Sequence, residues 1–324
     1  MILRRILLAT PFVLGASRVG SAQAPYPNRP VRVVIPWPPG QATDLAARIL
    51  AQRLNANLGQ PFVADNRAGA GGMIGTDAVA KAPADGYTLL AASTGPMVTA
   101  PLVQRTPYNV ELDFTEVAIT GMSAYLLVVP PNFPASTAEE FIALVRAEPG
   151  KYSFASSGTG ATDHVVAAWF NSLARLEVLH VPFPGSGPAL AAVVGGHVNF
   201  AVTTLAATRP LVRNGTLRAL GISFKNGSSL MPDMPPLARL SGLQDFDASA
   251  WIGMMAPAAT PRAIIERIDA VIGEAMQGAE MRERLAAAGL DPVYHGAASM
   301  KDYIALQRRS FAEAIRAANI RIDG

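Results

Sequence analysis

The chain has 324 residues, of which 50% are hydrophobic and 16% are charged. This length and composition supply enough apolar surface for packed cores and favour two domains over one. The chain contains no cysteine, which excludes disulfide bonds, a thiolate nucleophile and sulfur-ligated metal sites. The 27 basic residues barely exceed the 24 acidic ones, so no nucleic-acid surface is expected.

Residues 1–24 have the layout of a secretory signal peptide. Two arginines precede an apolar run over residues 6–16, and the segment ends in small residues. A transmembrane anchor is the alternative, but the run is short and a proline interrupts it. We expect cleavage after Ala22 or Ala24, by either a general or a twin-arginine export route. Without a lipid-acceptor cysteine, the mature protein is expected to be soluble in the periplasm.

Two stretches of the chain share one pattern of strand, glycine-bearing loop and helix. In the first, a predicted strand over residues 31–36 leads to a helix from Leu45, which Gly59 is expected to cap. In the second, a strand over residues 152–155 leads to a helix from His164. The first N–H groups of a helix lack internal partners and lie at the positive end of its dipole. The two modules therefore predict a small anion held from both sides.

The remaining chain alternates short apolar strands with helical patterns, which is typical of an α/β fold with largely parallel sheets. Residues 136–140 form a capping-box pattern, and Thr260 is the predicted N-cap of a helix that begins at Pro261. Gly289 is expected to close the following helix. Further strands are predicted over residues 88–92, 125–129, 179–183, 198–203, 219–224 and 251–256, and a last helix from residue 299.

Enzyme signatures are mostly missing from the sequence. The four histidines never show the paired spacing of a zinc helix. The glycines of residues 69–75 lack the Lys-Ser or Lys-Thr of a phosphate loop, and their third glycine is one residue late for a dinucleotide fingerprint. No G-x-S-x-G elbow surrounds the serines of the second module. We therefore predict no catalytic residue, no metal and no cofactor.

Several loop residues are candidates for ligand contact, each with a structural alternative. Asp44 is either a helix cap or an acceptor for a ligand ammonium or hydroxyl. Trp37 is either a cleft wall or a core anchor, and His164 either packs at a helix start or contacts the ligand. The proline-rich loop before Gln41 either presents backbone groups or is only a rigid turn. The full candidate set is Trp37, Pro38, Gly40, Gln41, Ala42, Thr43, Asp44, Ser93, Thr94, Ser156, Ser157, Thr159, Gly160, Ala161, Thr162, His164, Pro184, Gly185, Thr203 and Thr204.

The order of several motifs resembles one known family. They are PWPPG at 36–40, NRAGAGG at 66–72, DGYT at 85–88, ASSGTG at 155–160, GGHV at 195–198, and Trp251 with Ala256 and Pro257. Over essentially the whole mature chain, they resemble the Bug-type extracytoplasmic solute receptors of the tripartite tricarboxylate transporters.

This resemblance implies a type II periplasmic-binding-protein fold, with two α/β lobes joined by crossing strands and a ligand cleft between them. We expect residues 25–122 and 250–324 to form the first lobe and residues 123–249 the second. The resemblance also implies a monomer that binds a small organic acid and passes it to a two-component integral-membrane permease. Backbone amides and ordered waters of residues 37–44 and 156–164 would hold one ligand carboxylate.

The chain departs from the family pattern at three places. Gln41 and Ala42 replace a Gly-Gly pair, Phe183-Pro184-Gly185 replaces Tyr-Lys-Gly, and Thr203 replaces a common aspartate. These departures concern ligand identity more than the fold, so dicarboxylates, tricarboxylates, amino acids, aromatic acids and nicotinate-like acids all remain open.

Two other functions also remain open. One is a secreted hydrolase that uses Asp44 or a pair of Ser156 and His164, and the other is a receptor that senses the ligand for a signalling partner. For the receptor, we expect loss of the hydroxyl of Ser157 or Thr159 to weaken binding without affecting folding.

Overall fold

The computed structural model describes residues 26–317 and residue 320. The predicted signal peptide therefore lies outside the described residues. The strands are β1 Val31–Ile35, β2 Phe62–Asn66, β3 Thr88–Ser93, β4 Phe114–Val129, β5 Ser153–Ser156, β6 Leu179–Pro182, β7 Phe200–Thr204, β8 Arg218–Ile222, β9 Ser249–Pro257 and β10 Asp291–Gly296.

The helices alternate with these strands along most of the chain. They are α1 Ala42–Leu58, α2 Met73–Ala80, α3 Ala100–Val103, α4 Val110–Asp113, α5 Ala138–Ala147, α6 Thr162–Leu173, α7 Ser186–Val194, α8 Leu205–Arg213, α9 Arg262–Gln277, α10 Ala279–Ala287 and α11 Ala297–Ala317. Two 3-10 turns lie at Ala70–Gly72 and Leu237–Arg239, and a π-helix at Gly95–Thr99 runs directly into α3.

One long strand, β4, belongs to two sheets. From Phe114 to Ala124 it pairs antiparallel with β9, and its opposite edge pairs with β10. From Tyr125 to Val129 it pairs antiparallel with β7 and β8. The first sheet thus has the order β2-β1-β3-β9-β4-β10, and the second has the order β6-β5-β7-β4-β8. At about 3.3 Å per residue, a strand of 16 residues is long enough to join both sheets.

Three neighbouring strands of each sheet are parallel, as the alternation of strands and helices predicts. In the first sheet β1 pairs parallel with β2 and β3, and in the second β5 pairs parallel with β6 and β7. Only the strands next to the crossing, β4 and β9, introduce antiparallel pairs. In each sheet the carboxyl ends of the parallel strands meet at one edge, which is where the loops of the two modules emerge.

Both faces of the second sheet are covered, and β4 shows it residue by residue. Leu126 and Val128 pack in a core with α7 and α8, whereas Leu127 and Val129 pack in a core with α5 and α6. Side chains of a strand alternate between faces, so a strand covered on both faces is apolar throughout. This accounts for the continuous apolar sequence at the end of β4.

The C-terminal helix α11 contacts both halves of the molecule. The ring centroids of Phe311 and Trp169 of α6 lie 6.3 Å apart. Buried Gln307 accepts a hydrogen bond from Trp251 Nε1 at 2.7 Å and donates to the carbonyl of Ser249 at 2.9 Å. The helix therefore fixes the start of β9, where the chain returns to the first sheet, while it also packs on α6. The lobe boundaries stay a prediction.

Helix ends mostly follow the predicted caps. Gly59 adopts a left-handed φ of 71° and its N–H donates to the carbonyl of Asn55 at 3.0 Å, which confirms it as the C-terminal cap of α1. Thr137 caps α5 by accepting the N–H of Glu140 at 3.1 Å. The predicted cap at Thr260 is wrong by one residue. Pro261 has an extended ψ of 132°, so Pro261 itself is the N-cap and the helix begins after it.

Candidate functional site

The first loop, residues 36–41, joins β1 to α1 and is held by Asp44. One carboxylate oxygen of Asp44, Oδ2, accepts the N–H of Gly40 at 2.9 Å. The other, Oδ1, accepts Nε of Arg48 at 2.9 Å and Nδ2 of Asn66 at 2.8 Å. Burial raises the pKa of this carboxyl, but the hydrogen bonds from Arg48, Asn66 and Gly40 outweigh that effect and hold the pKa below its ordinary value. Asp44 is therefore ionised at neutral pH and fixes the loop by binding the N–H of Gly40.

The same Asn66 side chain also fixes Trp37. Its Nδ2 donates to the carbonyl of Trp37 at 3.0 Å, while its Oδ1 accepts Nη2 of Arg48 at 2.8 Å. The indole Nε1 of Trp37 donates to Oγ of Ser93, at the end of β3, at 3.0 Å. Trp37 is thus held at its backbone and its ring by residues of β2 and β3, the two strands that flank β1.

Asp44 lies in the first turn of α1 but does not cap the helix. The N-cap of α1 is Gln41, in extended conformation, and no side chain among the described residues accepts a hydrogen bond there. The structural role of Asp44 is therefore to fix the preceding loop through the N–H of Gly40. The first N–H groups of α1 remain able to bind an acceptor.

The second loop, residues 157–161, joins β5 to α6 and is held by Asp163. Oδ2 of Asp163 accepts the N–H of Ser157 at 2.8 Å, and Oδ1 accepts the hydroxyl of Ser157 at 2.7 Å and the N–H of His164 at 3.0 Å. Burial raises the pKa of the Asp163 carboxyl, and the hydrogen bonds from Ser157 and His164 offset that effect only in part. The N-cap of α6 is Ala161, which has no side-chain hydrogen bond to the helix.

The two modules thus fix their loops in the same way, but only the first has a cation beside its aspartate. In each, an aspartate in the first helical turn reaches back to an N–H of the preceding loop. Asp44 has Arg48 one turn further along its helix, whereas the equivalent position after Asp163 is Ala167. At Asp163 burial outweighs the hydrogen bonds and raises the pKa, whereas at Asp44 the hydrogen bonds from Arg48, Asn66 and Gly40 outweigh burial and lower the pKa.

The first loop and the start of α6 meet at Gly95, the first residue of the π-helix. A Cβ atom placed on Gly95 would lie 3.4 Å from Cζ2 of Trp37 and 3.6 Å from Oγ1 of Thr162. The hydroxyls of Thr99 and Thr162 lie 3.1 Å apart and share a hydrogen bond. The start of α6 therefore touches the first half of the molecule directly beside Trp37.

The glycine-rich segment that fails the nucleotide motifs has a packing role here. Gly72 has a left-handed φ of 92°, and a Cβ atom on it would lie 3.4 Å from Cζ2 of Trp37 and 3.3 Å from Cγ of Pro96. A larger residue would therefore displace the indole or the start of the π-helix.

The other predicted residues lie at the rim of this region or in the framework behind it. Thr94 is buried and its Oγ1 accepts the N–H of Trp251 at 2.8 Å, so that this oxygen joins β3 to β9. Thr203 and Thr204 end β7 opposite Leu126 and Tyr125 of β4. Exposed Pro184 and half-buried Gly185 follow β6, next to the second loop. The pair predicted for a hydrolase is not formed, because buried Ser156 hydrogen-bonds His180 at 2.7 Å instead of His164.

Sequence reasoning missed several residues that shape this region: Arg48, Asn66, Gly95, Thr99 and His180. Two of them carried a usable signal. Arg48 follows Asp44 by four residues on a helix, the spacing of an ion pair. Asn66 ends β2 in register with Ile35, so adjacent parallel strands bring it to the first loop.

No helix within residues 26–317 is long and apolar enough to cross a membrane. Residues 46–320 match the family model described as the tripartite tricarboxylate transporter family receptor, TctC. The chain is 38% identical to Protein BugT of Bordetella pertussis over 293 residues, which cover 90% of each chain.

Solved structures show the same likeness. R. palustris Rpa4515 with adipate has a TM-score of 0.82 and 28% identity, covering 91% of this chain and 99% of its own. Periplasmic binding protein BugD has a TM-score of 0.78 and 27% identity, covering 91% and 99%. MatC of Rhodopseudomonas palustris with bound malate has a TM-score of 0.76 and 29% identity, covering 90% and 100%. The chain therefore belongs to the tripartite tricarboxylate transporter receptor family, the Bug-type solute-binding proteins, and has their two-lobed type II periplasmic-binding-protein fold.

Proposed function

We propose that the mature protein is a periplasmic receptor that holds a carboxylate-bearing metabolite between its two loops. The observation that carries the proposal is that Trp37 of the first loop and Thr162, the first residue of α6, come together at Gly95. The N-cap residues of α1 and α6, Gln41 and Ala161, make no side-chain hydrogen bond to their helices. Each N-terminus offers backbone N–H donors and the positive end of a helix dipole. Two such ends facing one space stabilise an anion without a dedicated arginine, and closing the lobes removes that anion from water.

The relatives support a carboxylate as the anion. The solved structures of Rpa4515 and MatC are described with adipate and with malate, both small organic acids. Within this chain, the loop carboxylates of Asp44 and Asp163 are already bonded to protein N–H groups and hydroxyls. They therefore order the donors around a ligand, and they do not leave unpaired charges that repel it.

A hydrolytic function has less support from the geometry. Ser156 is fully buried, and its hydroxyl is occupied by His180 and by the backbone of Gly158. A serine nucleophile must reach its substrate, and this one lies behind the loop. Turnover of a bound acid would reverse this conclusion.

The ligand is best identified by a thermal-shift screen of the mature chain against organic acids, including adipate and malate, followed by calorimetry. A ligand present at 100 times its dissociation constant adds about 2.7 kcal/mol to the stability of the folded state. Gly95→Leu would fill the space between Trp37 and Thr162 and is expected to abolish binding. The matched control is Ala298→Leu on the exposed surface of α11. Equal binding by both variants would place the ligand elsewhere.

Delivery to a two-component integral-membrane permease completes the proposal, supported by the family description. Cross-linking of the ligand-loaded receptor in native membranes is expected to capture a permease subunit. Capture of a signalling protein instead would favour the sensing alternative. The intact mass of the exported chain tests cleavage after Ala22 or Ala24.

A further inference from the structure

We infer that His180 is a positioning residue for the second loop: His180 and His164 form a stacked pair of imidazoles, and each ring holds one end of that loop. The inference rests on the proposed function, in which the second loop contacts the ligand.

The stack is built by the second sheet and the first turn of α6. The ring centroids of His164 and His180 lie 3.8 Å apart, and the ring planes are 9° from parallel. The ring of Phe154 lies 4.8 Å from that of His180 at an interplanar angle of 23°, and 6.1 Å from that of His164. Phe154 and His180 are register partners in the parallel pair β5–β6, so the sheet itself places their rings side by side.

Each imidazole meets the loop through one nitrogen. Nε2 of His180 lies 2.7 Å from Oγ of Ser156, just before the loop, and the same Oγ accepts the N–H of Gly158 at 3.3 Å. Nδ1 of His164 accepts the N–H of Gly160 at 3.0 Å. Residues 157–159 therefore lie between two hydrogen-bonded positions, Ser156 and Gly160, each in contact with one of the stacked rings.

The loop needs such support because of its glycines. Gly158 and Gly160 have left-handed φ angles of 138° and 77°. Glycine adopts these angles without strain, but it also has many other conformations available. Fixing both ends lowers the number of loop conformations and so the entropy lost when a ligand binds.

The contacts define the protonation state of the pair. Because Nδ1 of His164 accepts an N–H, the ring carries its proton on Nε2 and is neutral. Burial lowers the pKa of His164 to about 4, helped by His180, and burial also lowers the pKa of His180. The ionisable side chain in contact with the pair is Asp163, which accepts the backbone N–H of His164, while β5 contributes the uncharged Phe154 and Ser156.

The first test needs no ligand. In a 15N NMR spectrum of the mature chain at pH 7, His164 is expected as the neutral Nε2–H tautomer. In His180→Phe, which keeps an aromatic ring in the stack but removes the nitrogen facing Ser156, the amide signals of Gly158 and Gly160 are expected to shift or broaden. A His164 ring protonated on Nδ1, or unchanged glycine signals, would overturn the inference.

The second test measures affinity for adipate or malate. His180→Phe is expected to weaken binding about five- to tenfold, the effect of one lost neutral hydrogen bond, with a smaller change in melting temperature than in affinity. Ser156→Ala removes the same contact from the other side and serves if His180→Phe does not fold. The control is His197→Phe, at an exposed histidine of the same half. Wild-type affinity in both test variants would contradict the inference. If the wild-type protein binds no organic acid, the proposed function is contradicted, and the NMR result alone decides whether His180 positions the loop.

Discussion

The hydroxyl oxygens of Thr99 and Thr162 lie 3.1 Å apart and form a hydrogen bond between the end of the π-helix and the first residue of α6. Thr99 follows β3 of the first sheet, and Thr162 follows β5 of the second. Gly95 of the same π-helix lies between Trp37 and Thr162, so this bond is close to the region proposed for the ligand. It joins the first half of the molecule to the start of α6.

Thr99→Val keeps the shape of the side chain and removes the shared hydroxyl. One neutral hydrogen bond contributes about 0.5–1.5 kcal/mol, so binding of the organic acid should weaken by up to about tenfold. Calorimetry gives the affinity, and small-angle scattering reports whether the closed form is less populated. Thr115→Val is the control, since Thr115 is a half-buried residue of β4 away from the loops. Unchanged affinity would contradict a role in closure.

Asp44→Asn should destabilise the fold by about 1–3 kcal/mol, because Arg48 loses its charged partner and Gly40 and Asn66 compete for one remaining acceptor. The pKa of Asp44 is lowered in the folded state, so its contribution is present above pH 4 and is lost as the pH falls through the folded pKa. Urea unfolding at several pH values measures both effects. The control Asp65→Asn breaks a solvent-exposed pair with Arg67 and should cost less than about 1 kcal/mol. Equal losses of unfolding free energy in the two variants would contradict the role of Asp44 in fixing the first loop.

The stability of the protein should fall as the pH drops from about 6.5 towards 4. The pKa of His164 is lowered to about 4 in the folded state. In the unfolded chain the same ring takes up a proton near its ordinary pKa of about 6.5. Over this interval the unfolded chain binds more protons than the folded one, so acid favours unfolding, by at most about 3 kcal/mol. In His164→Phe the pH dependence should be flatter, whereas His197→Phe should retain it. A wild-type profile without slope between pH 6.5 and 4 would argue against a buried neutral pair.

Gly253→Ala should destabilise the fold by about 2–4 kcal/mol. A Cβ atom on Gly253 of β9 would lie 2.3 Å from the carbonyl oxygen of Ala118 of β4, so that the two strands at the crossing must separate. Gly187 in α7 provides the comparison, because a Cβ atom there meets nothing within 4 Å. Gly187→Ala should stabilise by up to about 1 kcal/mol through helix propensity. Thermal and urea unfolding distinguish these opposite signs.

Ser157 and Thr159 should respond differently to loss of their hydroxyls. The hydroxyl of Ser157 donates to the buried carboxylate of Asp163 at 2.7 Å, so Ser157→Ala should cost about 1–3 kcal/mol of stability as well as affinity. Thr159 is exposed, so Thr159→Ala should weaken binding alone. This differs from the expectation drawn from the sequence for Ser157. Paired unfolding and calorimetry experiments test it, and a fully stable Ser157→Ala protein would restore the simpler expectation.

The α/β class and the two modules follow from the sequence, whereas α1 and α6 begin three and two residues before the predicted starts at Leu45 and His164. Strand alternation and the cap at Gly59 depend on residues within a few positions of one another. Such local features can be predicted without knowing the fold. The order of the motifs added the family, and with it the two-lobed architecture.

The roles of individual side chains follow only from the tertiary structure. Asp44 holds its loop through Asn66, 22 residues away, and His180 meets Ser156, 24 residues away. Thr99 meets Thr162 across 63 residues. Which donor stays available for a ligand depends on the partners that neighbouring strands bring to it. The sequence by itself determined the two strand-loop-helix modules, because their pattern is local. Only the tertiary structure, in which β4 joins both sheets, decided that the start of α6 lies beside Trp37 and Gly95, because that contact joins residues far apart in the sequence.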